Sequence, residues 1–388
     1  MLNSIKKKYK YIIVAGALII CTVIAIVLIG SMKSKGSTSE IDSEEVIGKV
    51  DETVEIIEPI EEPIIEPVPE PKPEPIPEPE PEPIGPNSKL TALPIHQEAY
   101  DRRPIGIMIS NIRTALPQYG VSDADIIYET LVEGGITRLF ALYQDFDTEK
   151  IGPVRSSRHY YLDFALDHDA IYVHFGESTF ATAAFRKLDV DRFSGLSYLD
   201  TILTFRDKDR KAPHSTFTSK ERLMNTWDLL KYRVEPDYEE NKFDFYETDT
   251  TPEGATDLAK ITLDYSYYIK PVLEYNSEDS LYYRSQFGNK HIDASNNQQL
   301  AFKNIIIQNT SIWRIKTDPL GCMDMALNTD GDGMYITNGK MIPITWEKTG
   351  HYSPTKYYNE DGSALFINPG KTFISVYPIY RQNKIVME

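Results

Sequence analysis

Two arginines and a histidine crowd the stretch GPVRSSRHYY, residues 152–161. A guanidinium is a fixed charge on a planar fork of donors, a shape that suits carboxylate and phosphate. If Pro153 opens a helix over 154–168, Arg155 and Arg158 fall in its first turns, three residues apart on neighbouring positions of one face. That end of a helix is positive, so cations there cost stability unless an anion compensates them. Arg138 follows the Gly134-Gly135 turn and supplies a third guanidinium. His159 comes directly after Arg158, and His214 sits in the loop-like KAPHSTF, where binding residues concentrate. These spacings predict an anion-binding site made by Arg138, Arg155, Arg158, His159 and His214. Internal ion pairing is the competing expectation, with Glu129 and Glu133 as partners, because a buried arginine ordinarily has a carboxylate. A mixture, one arginine tied and another free, fits the same residues.

A second chemistry is open to this set. Glu129 or Glu133 with His214 would make an acid–base pair for a hydrolase or transferase, provided that the carboxylate has no guanidinium partner and lies beside the histidine. No other catalytic pattern stands out. There is no G-x-S-x-G elbow, Ser156, Ser157 and Ser178 read as helix-start residues, and His174 in IYVHFG reads as a core histidine. The two cysteines cannot build a zinc site, and with Cys21 inside an apolar run an intrachain disulfide is not expected. Cys322 reads as a small buried hydrophobe. NTDGDG, 328–333, matches the start of a calcium loop, but Gly339 stands where the bidentate glutamate belongs, so a tight turn between strands is expected instead. No metal and no cofactor is predicted.

The elements that must position these residues read as mixed α/β at first. PIGIMIS (104–110), TRLFALYQDF (137–146) and AIYVHFG (170–176) read as strands, and ADIIYETLV (124–132) as a short helix or strand. TFATAAFRKL (179–188) and SKERLMNTWDLLKY (219–232) read as helices, the latter capped by Ser219. After residue 235 strand patterns recur about every ten residues with Gly, Asn and Asp between them, as in NIIIQNT, GMYITNG, KMIPITWEK and KTFISVYP. The expectation is an α/β (mixed α+β) N-terminal domain, 89–257, followed by a β-rich, mainly antiparallel C-terminal domain, 258–388.

Two segments precede the globular part. Residues 1–32 hold four lysines and no acid, and Tyr11 to Ile29 is uncharged, enough for a helix of roughly 28 Å that spans a bilayer. Lysines at 6, 7, 8 and 10 predict a cytoplasmic N-terminus and a globular part outside the cell membrane. Ile20 before Cys21 is not the small residue that lipid attachment wants, which argues against lipidation. Residues 33–88 carry 16 acids against four lysines, with proline at nearly every second position from 58 to 86. Such a tract favours an extended, disordered stalk. With a net charge of -17 the chain lacks the basic surface that nucleic-acid binding requires.

Several phrases in combination resemble one family, the YerB-like proteins, described as a domain of unknown function with N- and C-terminal halves. They are RPIGIMISN (103–111), PQYG (117–120), IYETLVEGGITRLFALY (127–143), IGPVRSSRHYY (151–161), APHSTF (212–217), DGMYITNGKMIPITWEK (332–348) and INPGKTFISV (367–376). The resemblance implies an envelope protein of Gram-positive-type bacteria, usually called a lipoprotein, near the machinery of cell-wall synthesis and with no settled chemistry. Residues and resemblance together predict a membrane-anchored extracytoplasmic binding or scaffolding protein. Its partner would be an envelope protein or an anionic cell-wall ligand.

Overall fold

A computed structural model of the chain describes residues 85–237 and 242–388, which pack as one unit. The predicted anchor, 11–29, and the stalk up to residue 84 lie outside the described residues. Asn87 and Ser88 already belong to the packed part: Asn87 bridges Pro94, and the buried Ser88 Oγ donates to Gln144 Oε1 at 2.9 Å.

The first half supplies β1 (Ile105–Asn111), β2 (Ile126–Leu131), β3 (Thr137–Tyr143), β4 (Ile171–His174) and β5 (Arg192–Ser194). The second supplies β6 (Lys260–Thr262), β7 (Val272–Asn276) and β8 (Leu281–Gln286), then β9 (Asn304–Thr310), β10 (Asp330–Thr337), β11 (Lys340–Glu347), β12 (Lys356–Asn359) and β13 (Thr372–Pro378). One eleven-stranded sheet runs β12-β11-β10-β9-β13-β2-β3-β1-β4-β5, with Thr256–Asp257 added beside β11. Strands from both sides of residue 258 therefore share a single sheet, joined where β13 lies parallel to β2.

The reason is legible in composition. All residues of β1, β2, β3, β9 and β13 are buried, as near-continuous apolar strands are when both sheet faces are covered. Alternate residues feed two core layers. Ile105, Ile107, Leu139 and Ala141 face one, and Met108, Tyr128, Phe140 and Leu142 face the other. The first layer is closed by a smaller sheet containing β8, β7 and β6 and by the helix Lys220–Leu230. The second layer is closed largely by aromatic residues near 160–165. β8 alternates half-buried and buried positions because only one of its faces meets the core.

Three helices of more than one turn are described: α1 (Tyr161–Leu166), α2 (Thr179–Phe185) and α3 (Lys220–Leu230). α3 starts as predicted, with the Ser219 side chain accepting from the Arg222 amide. The helix expected over 154–168 does not. Only Tyr161–Leu166 is helical; residues 158–160 turn into the helix, and 154–157 run along the sheet. Their amides are spent on the sheet: Arg155 N–H donates to Met108 O at 2.8 Å and Ser157 N–H to Gly176 O at 2.9 Å. NTDGDG is likewise not a turn. Asp330 to Gly333 already belongs to β10, and the turn falls at Asn338-Gly339, both in the left-handed region (φ 52° and 69°) that a two-residue hairpin needs. Among the described residues no helix is long and apolar enough to cross a membrane.

Candidate functional site

Strands β9, β13 and β2 are mutually parallel, as are β1, β4 and β5, and β3 runs antiparallel to both β2 and β1. Six strands thus end at one edge of the sheet. In open sheets of parallel strands, ligands bind outside such carboxyl ends. Arg138, Arg155, Arg158, His159 and Glu133 come directly from this edge, and the 207–216 loop that carries His214 folds back onto it.

Residues 153–157 wedge between the ends of β1 and β4. Pro153 O accepts from Ser110 N–H at 3.0 Å, Val154 bridges Ile109, and Arg155 O accepts from Phe175 N–H at 3.0 Å. Arg158 then turns to Glu133, on the loop after β2: its Nε donates to Oε2 at 2.7 Å and its Nη2 to Oε1. Arg138, at the start of β3, reaches Ser156 O, and its Nη2 stands 3.6 Å from Glu133 Oε1. Both arginines are buried, and one carboxylate serves both. The macrodipole argument does not apply to this cluster, because the helix begins only at Tyr161 and has six residues. His159 Nε2 lies 2.9 Å from Asp324 Oδ1 on the short ladder Ile312–Arg314 with Met323–Met325, which folds over the same edge.

Arg155 is different. Its Nη1 donates to Pro213 O at 3.0 Å, and among the described residues no carboxylate lies within ion-pairing distance of it. Burial and then the nearby Arg138 push its pKa down to about 10. His214 stands on the same loop: its Nε2 is 3.3 Å from Thr114 Oγ1, and its Nδ1 is buried without a partner. Burial, then Arg155 and Arg210, hold His214 below the usual histidine range. Arg210 donates to the carbonyls of Ala115 and Pro117 and is only loosely tied to Asp207, at 3.7 Å. Arg155, Arg210 and His214 thus form one cluster with a surplus of donors and positive charge. Ser156 fits beside them because Gly176 has no side chain: a Cβ there would stand 2.4 Å from Ser156 Oγ.

The carboxylates of the acid–base reading go elsewhere. Glu129 is fully buried inside the sheet. Its Oε1 accepts from Asn111 Nδ2 (2.8 Å) and Thr137 Oγ1 (2.6 Å), and its Oε2 from Arg284 Nη2 (2.7 Å). Arg284 continues the chain of contacts to His291, and His291 to Gln118. Glu133 is held by Arg158 and Arg138. Neither carboxylate is brought to His214, and each has a guanidinium partner. His174 behaves as the core residue expected, with its ring between Tyr172 and Phe185 and Nδ1 2.8 Å from Gly176 O. No group of three or more His, Cys, Asp or Glu that could hold a metal ion occurs among the described residues.

Sequence reasoning missed Thr114 and Arg210. Arg210 lies in RDKDRKAPH, where the alternation of Asp and Lys/Arg looks like a solvated surface. The concentration of four basic residues in the eight positions before His214 was the available signal. Thr114, 100 residues from His214, carries none.

Residues 90–233 match the family described as "Protein of unknown function (DUF3048) N-terminal domain", and 261–374 match its C-terminal domain. The chain is 32% identical over 293 residues to "Putative lipoprotein YerB" of Bacillus subtilis (strain 168), covering 74% of this chain and 85% of the relative. The crystal structure of YerB from Bacillus subtilis superposes with a TM-score of 0.68 at 28% identity, over 78% of this chain and 99% of that one.

Proposed function

Because the chain belongs to the two-part DUF3048 family, whose relative above is named a lipoprotein, we propose that it is a membrane-anchored extracytoplasmic binding or scaffolding protein of the bacterial cell envelope. Its ligand is an anionic group, on a cell-wall component or a partner protein, taken up by Arg155 with His214, Thr114 and Arg210. One observation carries this reading: a half-buried guanidinium at the carboxyl edge of a sheet, beside a second arginine and with no carboxylate partner among the described residues. Burying an unpaired charge is costly, and an arriving anion repays that cost. The acid–base alternative loses its support, since both candidate carboxylates are already in ion pairs.

Residues 11–29 hold the chain in the membrane, with the lysine-rich start inside and the globular part outside. Protease added to intact, wall-stripped cells then removes the globular part and leaves a short membrane fragment. Protection of the globular part contradicts this topology. The binding reading is tested by melting the protein with and without sulfate. Sulfate raises the melting temperature of the wild type and leaves Arg155→Ala unmoved, whereas an equal rise in both removes Arg155 from the site.

A further inference from the structure

The loop between β6 and β7 presents Tyr267 and Tyr268 almost bare, 86% and 64% exposed, with their rings edge-on 5.3 Å apart. Beside it, the turn after β13 exposes Ile379 (47%) and Tyr380 (58%). Asp264 fastens the two segments together. Its carboxylate meets Lys270 Nζ at 2.9 Å and Arg381 Nη2, and its carbonyl accepts from Arg381 Nε (2.6 Å) and Tyr377 OH (2.9 Å). The loop also leans on the carboxyl edge, where Ser266 Oγ donates to Gly135 O. Three aromatic rings and an isoleucine thus share one tip with Lys270 and Arg381, which both meet the Asp264 carboxylate, and with Lys384 at the end of the turn. Residues 89–388 hold 33 basic and 42 acidic side chains, so a cationic tip runs against the charge of the whole.

We infer that this tip docks on an anionic lipid surface. Tyrosine rings have an apolar body and a polar end, which places them at the headgroup level of a bilayer, and lysines and arginines beside them are drawn to anionic headgroups. The high exposure of Tyr267 means that it projects, as a side chain that inserts between headgroups must. Buried beneath it, Tyr265 and Tyr377 pack at 5.1 Å and Ile269 is covered, so the projecting rings stand on a firm base. The inference stands on the tip alone and does not need the Arg155 site.

The test uses the full chain with Tyr267→Trp in nanodiscs of brominated phosphatidylcholine, with or without phosphatidylglycerol. Wild-type discs give the background of Trp227, Trp313 and Trp346. Co-elution with the discs reports the anchor separately from the tip. Emission from position 267 falls by about half on discs with phosphatidylglycerol and stays unquenched without it, as expected of an interfacial aromatic held by charge. Lys270→Glu and Lys384→Glu each weaken this docking roughly tenfold. Quenching no greater than background on both discs overturns the inference, and so does equal quenching on both. A protein crosslink from position 267 without lipid quenching assigns the tip to a protein partner and overturns it too.

Discussion

Arg155 and Arg158 stand three residues apart on one segment, yet only Arg158 reaches a carboxylate. Arg158 grips Glu133 through two nitrogens, while Arg155 meets the carbonyl of Pro213. The two substitutions therefore separate structure from binding. Arg158→Ala leaves Glu133 partly uncompensated and lowers stability by about 2 kcal/mol, the scale of a partly buried pair that keeps some help from Arg138. Arg155→Ala stays within about 0.5 kcal/mol of wild type, because it removes a charge that no carboxylate among the described residues neutralises. Urea denaturation of both variants checks this, and equal losses refute it.

Glu129 is predicted to be a structural residue. Glu129→Gln leaves Arg284 as a fully buried charge with a weakened partner, which costs about 3 kcal/mol. The paired change Glu129→Met with Arg284→Met recovers part of that loss, since no charge is then stranded. Sulfate binding by whatever fraction is folded remains. If Glu129→Gln is as stable as wild type but binds no sulfate, Glu129 belongs to the site.

Protonation of His214 couples binding to pH. Burial and two arginines hold it below the usual histidine range, so at neutral pH the ring is uncharged. Below that range it gains a proton and adds a cation to the cluster. A bound anion favours the protonated ring, so affinity for sulfate, whose own charge is constant over this range, rises as pH falls from 8 toward 5. His214→Asn flattens that slope, and an unchanged slope in the variant places the titrating group elsewhere.

His174 tests the fold through its pKa, which burial lowers to about 4. Between the unfolded value of about 6.5 and that point, the unfolded chain binds a proton that the folded one does not. The histidine's contribution is therefore complete above the unfolded pKa and is lost as pH falls through the folded one. Glu177 and Arg192, its charged neighbours, remain in both proteins. The melting temperature of wild type minus that of His174→Asn shrinks from pH 7 to pH 4.5. A constant difference means that His174 does not titrate in this way.

Much of this was legible from sequence, for identifiable reasons. The apolar runs PIGIMIS, NIIIQNT and KTFISVYP read correctly as strands, because a strand covered on both faces needs no polar alternation. The segment after Pro153 was misread because its local pattern suits a helix start, while its amides pair with β1 and the end of β4. NTDGDG was misread because glycine suggests a turn. Gly333 is there because a Cβ would stand 2.4 Å from Ile307 O, and the turn itself is the Asn338-Gly339 step further on. The Glu129–Arg284 pair joins residues 155 apart and left no local trace. For the arginines, sequence proposed both an ion pair and an anion site. Arg158 took the first, and the geometry leaves the second to Arg155.

The most direct measurement is calorimetric titration of sulfate into wild type, Arg155→Lys and Arg155→Ala at one pH, with the melting temperature of each taken alongside. Arg155→Lys, which keeps the charge and loses the fork, is expected to bind roughly tenfold more weakly than wild type. Arg155→Ala shows no measurable binding, and all three melt together. Undiminished sulfate binding by Arg155→Ala, with its fold intact, contradicts the account.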